Sequence, residues 1–397
     1  TVNMGWEPSF VIMKRADGGA GWYMFDSMRG FTVDANSERL SADDNGGESS
    51  MSNYNVVSSL GFSVNGINTN STHIFVAIRR PDGYVGKPPE LGTDVFAMDT
   101  ASGSSSIPTW DSGFPVDLEF FRQPSATDDW YLTTRLAAFA TTSSSKYLKT
   151  NSSNAEANIA GVSFDSNLGF GTGYSSSFQA WMWKRHAGFD VVGYKGKGGV
   201  LRLSHNLSKT PEMIWIKCRS SNNENWYVYH KGLNGGTNPH TYMVRLNLTN
   251  AEASSSDFFN TAPTSTHVTI AGGVNNRTNA NNENYLMMLF ASVEGISKVG
   301  SYTGNGTSSS STQTITLGFQ PRFMFLKNVT DDGYYWQMVD TLRGWTSSSN
   351  KRLYFNDTRS QDDNYVIGEP LSTGFTITGN NVGWNKNNSI YIYYAHA

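Results

Sequence analysis

Residues 321–340 read PRFMFLKNVTDDGYYWQMVD, and the chain carries this pattern four times. The pattern starts with a proline, runs through an apolar segment to a basic residue, and reaches a tryptophan after a polar turn. The other versions are PSFVIMKRADGGAGWYMFD at 8–26, PVDLEFFRQPSATDDWYLTT at 115–134 and PEMIWIKCRSSNNENWYVYH at 211–230. The proline and the tryptophan are 14, 15, 15 and 15 residues apart. Such a steady spacing predicts four diverged copies of one module.

Each copy continues in the same order after its tryptophan. A segment with Leu40, Leu148, Leu246 or Leu353 comes first, then GFSV at 61–64, GVSF at 161–164, HVTI at 267–270 or GFTI at 374–377. An apolar segment ends each copy, at 74–78, 180–183, 285–290 and 390–395. Because IFVAI and IYIYYA are apolar on both faces, we expect them to be central strands. We divide the chain into repeat 1 (1–87), repeat 2 (88–188), repeat 3 (189–295) and repeat 4 (296–397).

The starts of repeats 1 and 2 differ from the common pattern. TVNMGWEP at 1–8 aligns with TITLGFQP at 314–321, so we expect repeat 1 to lack its first strand and the chain to continue upstream. Repeat 2 begins with the proline-rich stretch RRPDGYVGKPPELG at 79–92. Proline and glycine at this density favour a linker, and we predict the flexible joint of the chain there.

The composition favours strands and turns over helices. Aromatic residues make up 13% of the chain and charged residues only 16%. Short apolar segments separated by Gly, Asn, Asp and Ser clusters indicate an all-β chain of tandem β-sandwiches or jelly rolls. We expect these modules to follow one another as a rod. Cys218 is the single cysteine, which excludes an intrachain disulfide, and a net charge of −3 argues against nucleic acid as a partner.

The repeated segments resemble a known family. The stretches that carry the resemblance are ENYLMMLFASVEGISKVGSYTGNG at 283–306, QTITLGFQPRFMFLKN at 313–328, VDTLRGW at 339–345 and SIYIYYAHA at 389–397. They are similar to a repeat of unknown function in virion proteins of tailed bacteriophages, especially marine ones, and this resemblance implies β-sandwiches of the concanavalin A-like type. The resemblance is strongest in repeats 3 and 4. Repeat 2 departs most, with RLAAF at 135–139 after its tryptophan strand and Arg122 in place of lysine.

This resemblance implies a non-enzymatic virion protein, either a tail fibre or another surface appendage, that recognises the host surface. Two alternatives stay open: a purely structural capsid decoration or fibre-shaft protein, and a polysaccharide depolymerase. The expected partners are other virion proteins, further copies of the chain in a homo-oligomer, and a glycan or protein of the host. Nucleic acid binding and membrane insertion are not expected.

Aromatic side chains are the first candidates for a binding site, because their faces stack on sugar rings. Trp22, Trp130, Trp226 and Trp336 recur at one fixed place in every copy, which favours a core or turn-anchoring role. Aromatic residues that occur in one copy only are better binding candidates, namely Tyr84, Trp110, Tyr174 and Trp384. The sequence does not decide among them, so the binding residues stay undetermined.

Charged residues offer two further candidates. Asp26 and Arg29 recur as Asp340 and Arg343, and we interpret each pair as an ion pair that fixes a turn. The acidic turns at 43–46, 128–129, 331–332 and 362–364 could hold calcium, but none has the alternating spacing of a calcium loop, and turn chemistry explains them.

The sequence offers no catalytic constellation. The seven histidines form no HxH or HExxH motif, and neither a GxSxG elbow nor a phosphate-binding loop is present. We therefore predict no catalytic residues, no metal site and no cofactor.

Overall fold

The computed structural model describes residues 1–33, 36–52, 55–64, 70–79, 88–137, 145–259, 261–272, 277–306 and 312–397. The protein is all-β, and its strands pair antiparallel throughout these residues. Helical structure in the described chain is limited to short 3-10 turns, at Gly92–Asp94, Arg135–Ala137, Leu233–Gly236 and Pro239–Thr241. None of them is long or apolar enough to cross a membrane. The prediction of an all-β chain with β-sandwich modules is confirmed.

Repeat 1 consists of a five-stranded and a three-stranded sheet. Its strands are β1 (Val2–Asn3), β2 (Phe10–Arg15), β3 (Trp22–Asp26), β4 (Asn36–Ser41), β5 (Ser49–Ser52), β6 (Asn55–Ser58), β7 (Gly61–Val64) and β8 (His73–Ile78). The larger sheet has the order β5-β4-β3-β2-β8, and the smaller has the order β1-β7-β6. Among the described strands β8 therefore lies at the edge of the sheet, which contradicts its prediction as a central strand.

Repeat 2 has a six-stranded and a two-stranded sheet. Its strands are β9 (Phe96–Thr100), β10 (Trp110–Asp111), β11 (Leu118–Arg122), β12 (Tyr131–Thr134), β13 (Ser145–Lys149), β14 (Ala157–Ile159), β15 (Gly169–Phe170) and β16 (Gln179–Trp183). The order is β14-β13-β12-β11-β16-β9 in one sheet and β10-β15 in the other. The segment GVSF at 161–164 forms no strand, and Gly169 and Phe170 pair with β10.

Repeat 3 repeats this plan. Its strands are β17 (Phe189–Lys195), β18 (Leu201–Ser204), β19 (Met213–Cys218), β20 (Tyr227–His230), β21 (Tyr242–Arg245), β22 (Ala253–Ser254), β23 (His267–Ile270) and β24 (Asn284–Phe290). The six-stranded sheet has the order β17-β24-β19-β20-β21-β22, and β18 pairs with β23. The closing strand β24 lies between two others, as expected of a strand that is apolar on both faces.

Repeat 4 follows the same plan. Its strands are β25 (Ser297–Thr303), β26 (Thr312–Thr316), β27 (Phe323–Asn328), β28 (Gln337–Asp340), β29 (Leu353–Tyr354), β30 (Pro370–Leu371), β31 (Gly374–Thr378) and β32 (Ile390–His396). Its larger sheet has the order β25-β32-β27-β28-β29, and its smaller sheet the order β26-β31-β30. In repeats 2, 3 and 4 the closing strand pairs with a first strand, namely β9, β17 or β25. Within the described residues, β8 of repeat 1 has no such neighbour on its outer edge.

Each larger sheet has two different faces. One face packs against the smaller sheet of its own repeat, as Ile214 and Ile216 do in repeat 3 with Val268 and Ile270. We call the opposite face the ring face, because in repeats 2, 3 and 4 these faces surround one common centre. It carries Trp215 in repeat 3 and its counterparts Phe120 and Phe325 in repeats 2 and 4. The ring of Trp215 lies 6.3 Å from that of Phe120 and 5.4 Å from that of Phe325. The ring faces of repeats 2, 3 and 4 therefore meet in one shared core.

This arrangement contradicts the expected rod of separate modules. The largest buried cluster of the chain contains side chains from all four repeats, and Phe355 at its centre contacts Phe120, Trp215 and Phe325. The physical reason is burial: an apolar second face on each sheet is stabilised only when another apolar face covers it. The flexible joint predicted at 79–92 lies mostly outside the described residues. The division of the chain at 88, 189 and 296 stays a prediction.

Candidate functional site

The contacts between repeats 2, 3 and 4 are the most regular feature of the molecule. The indole N–H of Trp226 donates to the carbonyl of Lys149 in repeat 2, at 2.9 Å. The indole of Trp336 donates to Arg245 in repeat 3 at 2.9 Å, and that of Trp130 donates to Tyr354 in repeat 4 at 2.7 Å. Each repeat therefore gives one bond to the next and receives one, so the three close into a ring with approximate threefold symmetry.

The recurring basic residue makes a second link at each junction. Lys217 Nζ donates to the Ser153 carbonyl of repeat 2 at 3.2 Å, and Lys327 Nζ donates to the Thr249 carbonyl of repeat 3 at 3.0 Å. In repeat 2, Arg122 donates to the carbonyls of residues 357, 358 and 359 in repeat 4. All three side chains are fully buried. Burial lowers the pKa of Lys217 to about 8 and that of Lys327 to about 7, because a buried ammonium loses its hydration.

A side-chain oxygen holds each tryptophan strand in place. The backbone N–H of Trp130, Trp226 and Trp336 donates to the side-chain oxygen of Asn151, Asn247 and Asn356, each at 3.0 Å. In repeat 1 the backbone N–H of Trp22 donates to Asp43 at the same distance. Sequence reasoning missed this clamp, although a residue of Asn or Asp type recurs 20 to 21 residues after every tryptophan.

The described tryptophans of the fixed series differ in burial. Trp130, Trp226 and Trp336 are fully buried, which confirms the core interpretation. Trp22 in repeat 1 is only half-buried, and its indole N–H donates to no group in the described part of the chain. The core position therefore depends on a neighbouring repeat, and repeat 1 has no such neighbour on this side in the described chain.

A cleft of about 700 Å³ lies between repeats 1 and 2. Arg185 at its base is buried and makes a two-pronged ion pair with Glu7, at 2.8 and 2.6 Å. The guanidinium also lies 3.6 Å from Asp117 and 3.7 Å from Asp190. Burial alone would lower the pKa of Arg185, but these carboxylates outweigh it and raise that pKa.

The carboxylates of this cleft are committed to arginines. Glu7 and Asp117 face Arg185, and Asp26 forms an ion pair with Arg29. A glycosidase needs one carboxyl that holds a proton and one that is free to attack or to activate water. Carboxylates paired with arginines cannot supply the proton, so the cleft has the character of a charged seam between two repeats. It gives the depolymerase alternative no support.

The aromatic binding candidates are mostly part of the core. Trp110 is fully buried and stacks on Phe170 at 5.3 Å, while Trp384 is 4% exposed and donates to the Thr378 carbonyl. Tyr174 is half-buried, with its hydroxyl bonded to the Ala160 carbonyl, and Tyr84 lies outside the described residues. The expectation that Trp110 and Trp384 offer exposed platforms is wrong, because each ring closes its repeat's own sandwich.

One exposed aromatic side chain does lie beside Trp384. Tyr365 is 55% exposed, and its ring centre is 6.0 Å from that of Trp384. The guanidinium of Arg352 lies 5.1 Å from the Tyr365 ring and 5.3 Å from the Trp384 ring. We call Tyr365, Trp384 and Arg352 the aromatic patch of repeat 4. Sequence reasoning did not select Tyr365.

The Asp–Arg pairs are ion pairs that fix turns, as the sequence indicated. Arg343 Nε lies 2.7 Å from Asp340, and its backbone N–H donates to the same carboxylate at 2.8 Å. Asp26 accepts the backbone N–H of Arg29 in the same way. Asp340 has a further role, because the indole of Trp181 in repeat 2 donates to it at 3.1 Å.

The acidic turns are held by protein groups. Asp129 pairs with Lys149, Asp331 pairs with Lys386, and Asp362 pairs with Arg352. Over the residues that the structure describes, no three His, Cys, Asp or Glu side chains come together as metal ligands would. Cys218 is buried and free.

Fold and contacts define a class of protein in which β-sandwich repeats interlock through their larger sheets. The chain belongs to the family described as a domain of unknown function, DUF7483, whose model matches residues 1–79 and 175–397. The unmatched stretch, 80–174, is most of repeat 2, the copy that departs most from the common pattern. No curated protein matches the chain.

Proposed function

We propose that this chain is a non-enzymatic structural protein of a bacteriophage particle, displayed on the virion as a surface appendage. The observation that carries the proposal is the ring of repeats 2, 3 and 4. Its recurring tryptophans and basic residues donate hydrogen bonds that hold neighbouring repeats together. The assignment to a phage virion is supported by the sequence resemblance of the repeated segments.

The ring suits a displayed particle component for a physical reason. Each repeat is fixed by two neighbours, so local opening of one repeat must break hydrogen bonds at two junctions as well as its own core. The single cysteine, Cys218, is free, so this stability does not depend on a disulfide within the chain. The loops at the sandwich ends can then vary without disturbing the shared core.

Cryo-electron microscopy of the intact particle, with neighbouring subunits resolved, tests this proposal. We expect density for the ring at the particle surface, on a tail, a fibre or the capsid. A particle that lacks the chain would contradict the proposal. So would purified chain that cleaves host capsular polysaccharide, measured by release of reducing ends.

Host-surface carbohydrate binding is the second candidate function, and the aromatic patch of repeat 4 favours it. Tyr365 exposes its ring, and the guanidinium of Arg352 lies within 6 Å of three aromatic rings, those of Tyr354, Tyr365 and Trp384. The exposed face of Tyr365 offers stacking to a sugar ring, and the buried guanidinium of Arg352, which is paired with Asp362, contacts the same aromatic ring. The described tryptophans of repeat 4, namely Trp336, Trp345 and Trp384, are all buried, so Tyr365 is the ring of the patch that a sugar could reach.

A glycan array with the purified chain tests this second candidate. We expect Tyr365→Ala to reduce glycan binding at least tenfold. Tyr335→Ala is the matched control, because Tyr335 also stacks with an arginine, Arg359, at a different place on repeat 4. Equal loss in both variants, or binding that survives Tyr365→Ala, would rule the patch out as the glycan site.

A further inference from the structure

Repeat 1 carries the same ring face as its sister repeats, but that face is open. On β8, Ile74, Val76 and Ile78 are 50%, 58% and 54% exposed. They lie opposite Lys14, Ile12 and Phe10 on β2 in the antiparallel register, so all of them point to one side of the sheet. Trp22 and Met24 on β3 complete this face and are half-buried.

The counterparts of these side chains are buried wherever a ring is formed. The register places Val76 at the position of Trp181, Met288 and Tyr394, each of which is 0% exposed. Ile78 corresponds in the same way to Trp183, Phe290 and His396, which are also fully buried. Exposed apolar surface of this extent on a sheet face marks an interaction site.

Repeat 1 also keeps the groups that link repeats in the ring. Lys14 occupies the place of Lys217 and Lys327, yet its Nζ donates to Ala20 of its own repeat, at 2.6 Å. Ser41 pairs with Tyr23, the residue after Trp22. The acceptors Lys149 and Arg245 of the ring pair in the same way with the residue that follows the fixed tryptophan of their own repeat. The carbonyl of Ser41 is therefore the counterpart of their carbonyls. The indole N–H of Trp22 and the carbonyl of Ser41 are thus a donor and an acceptor for the same hydrogen bond between repeats.

We propose that repeat 1 is a trimerisation module: the repeats 1 of three copies of this chain close a second ring, with true threefold symmetry. The indole of Trp22 in each copy then donates to the Ser41 carbonyl of the next. The argument for copies of this chain is that each repeat carries both halves of the link. In repeats 2, 3 and 4, such head-to-tail contacts form a closed ring of three repeats. The same rotation from one repeat to the next would close a ring of three identical copies of repeat 1.

The geometry of the existing ring sets the specificity of this contact. A pairing of two copies would bury only part of each ring face, because each face in the ring touches two sister faces, as Trp215 touches Phe120 and Phe325. Three copies satisfy every donor and cover every apolar side chain of the face. The inference concerns repeat 1 alone and holds whether or not the chain is a virion protein.

Sedimentation equilibrium of the full chain tests the proposal. We expect a mass of three chains for the wild type and of one chain for Val76→Glu, with the same β-sheet circular dichroism. Val76 is more than half exposed within one chain, so the variant retains the fold of the monomer. Val200→Glu is the matched control, since Val200 is 59% exposed in repeat 3, away from the face, and this variant should remain a trimer.

The other outcomes overturn the proposal. A wild-type chain that stays monomeric at high concentration would mean that the ring face of repeat 1 does not bind further copies of this chain. A dimer points to edge-to-edge pairing of β8 in place of a ring. A Val76→Glu variant that remains trimeric places the trimer contact elsewhere.

Discussion

A single substitution between repeats shows how strongly each position in this fold is determined by its surroundings. Glu119 on β11 occupies the place of Ile214 and Met324 and faces the inside of repeat 2, where it is 0% exposed. Neither of its carboxyl oxygens has a hydrogen-bond partner among the described residues. Burial raises the pKa of Glu119 well above its usual range, and the charge of Arg135 only partly opposes this. The side chain is therefore a buried carboxyl, without a hydrogen-bond partner among the described residues, in an apolar sandwich.

We predict that Glu119→Met stabilises the protein, because it removes an unsatisfied buried carboxyl and supplies the residue that repeat 4 already has there. The expected gain is roughly 1–3 kcal/mol in the free energy of unfolding, measured by urea denaturation. The gain should be larger at pH 8 than at pH 4. A group whose folded pKa is raised contributes stability below its unfolded pKa, and that contribution is lost as the pH rises. An unchanged or lower stability at pH 8 would show that the carboxyl is satisfied.

At the scale of the elements, the strands that matter most are those that directly follow the fixed tryptophan in repeats 2, 3 and 4. Each strand pairs within its own sheet, and the tryptophan before it donates its indole N–H across a junction to the next repeat. The adjacent strand, β11, β19 or β27, sends a basic side chain to the same junction. Pairing within a repeat and contact between repeats therefore depend on the same two strands. Loss of one link should weaken both.

Trp336→Phe tests the value of such a link. The variant keeps an aromatic ring in the core but leaves the Arg245 carbonyl without its donor, so we expect a loss of about 1–3 kcal/mol in the free energy of unfolding. Trp215→Phe is the control. Trp215 is equally buried, but its indole N–H has no partner among the described residues, and repeats 2 and 4 have Phe120 and Phe325 at this position. Differential scanning calorimetry should show a clearly smaller loss for the control. Equal losses would mean that ring volume, and not the inter-repeat bond, stabilises the junction.

At the scale of the whole molecule, the shared core makes stability sensitive to acid. His230 and His396 are completely buried, and burial lowers the pKa of each to about 3. Burial also lowers the pKa of His186 well below its usual value. An unfolded chain takes up protons on these side chains near pH 6.5, while the folded chain does not. Their contribution to stability is complete above pH 6.5 and is lost as the pH falls towards 3.

His396→Phe tests this dependence, and Phe290 shows that phenylalanine fits the equivalent position of repeat 3. Between pH 6.5 and 4 we expect the variant's unfolding free energy to fall less steeply, by about 1.4 kcal/mol per pH unit. Urea denaturation at a series of pH values measures the slope. His240→Gln, on a 3-10 turn near the surface, serves as the control and should leave the slope unchanged. A parallel slope in His396→Phe would mean that other groups dominate acid unfolding.

The sequence by itself determined the all-β class and the recurring pattern of proline, basic residue and tryptophan, because those depend on local spacing. Prolines, glycines and alternating apolar residues lie within one module and act over a few residues. It also indicated that the fixed tryptophans are core residues and that Asp340 and Arg343 form an ion pair. The clamp between each tryptophan and a later Asn or Asp was readable from the spacing but was missed.

Only the tertiary structure decided which repeats meet. An apolar face on a sheet has no sequence signal that names its partner, so the rod and the ring were equally compatible with the pattern. The same limit explains the errors at β8, Trp110 and Trp384, where apolar or aromatic character was clear but burial depended on neighbours far away in sequence. Three ring faces cover one another in repeats 2, 3 and 4 because hydrophobic burial is proportional to area and indifferent to chain order. The open face of repeat 1 became visible only against that closed ring.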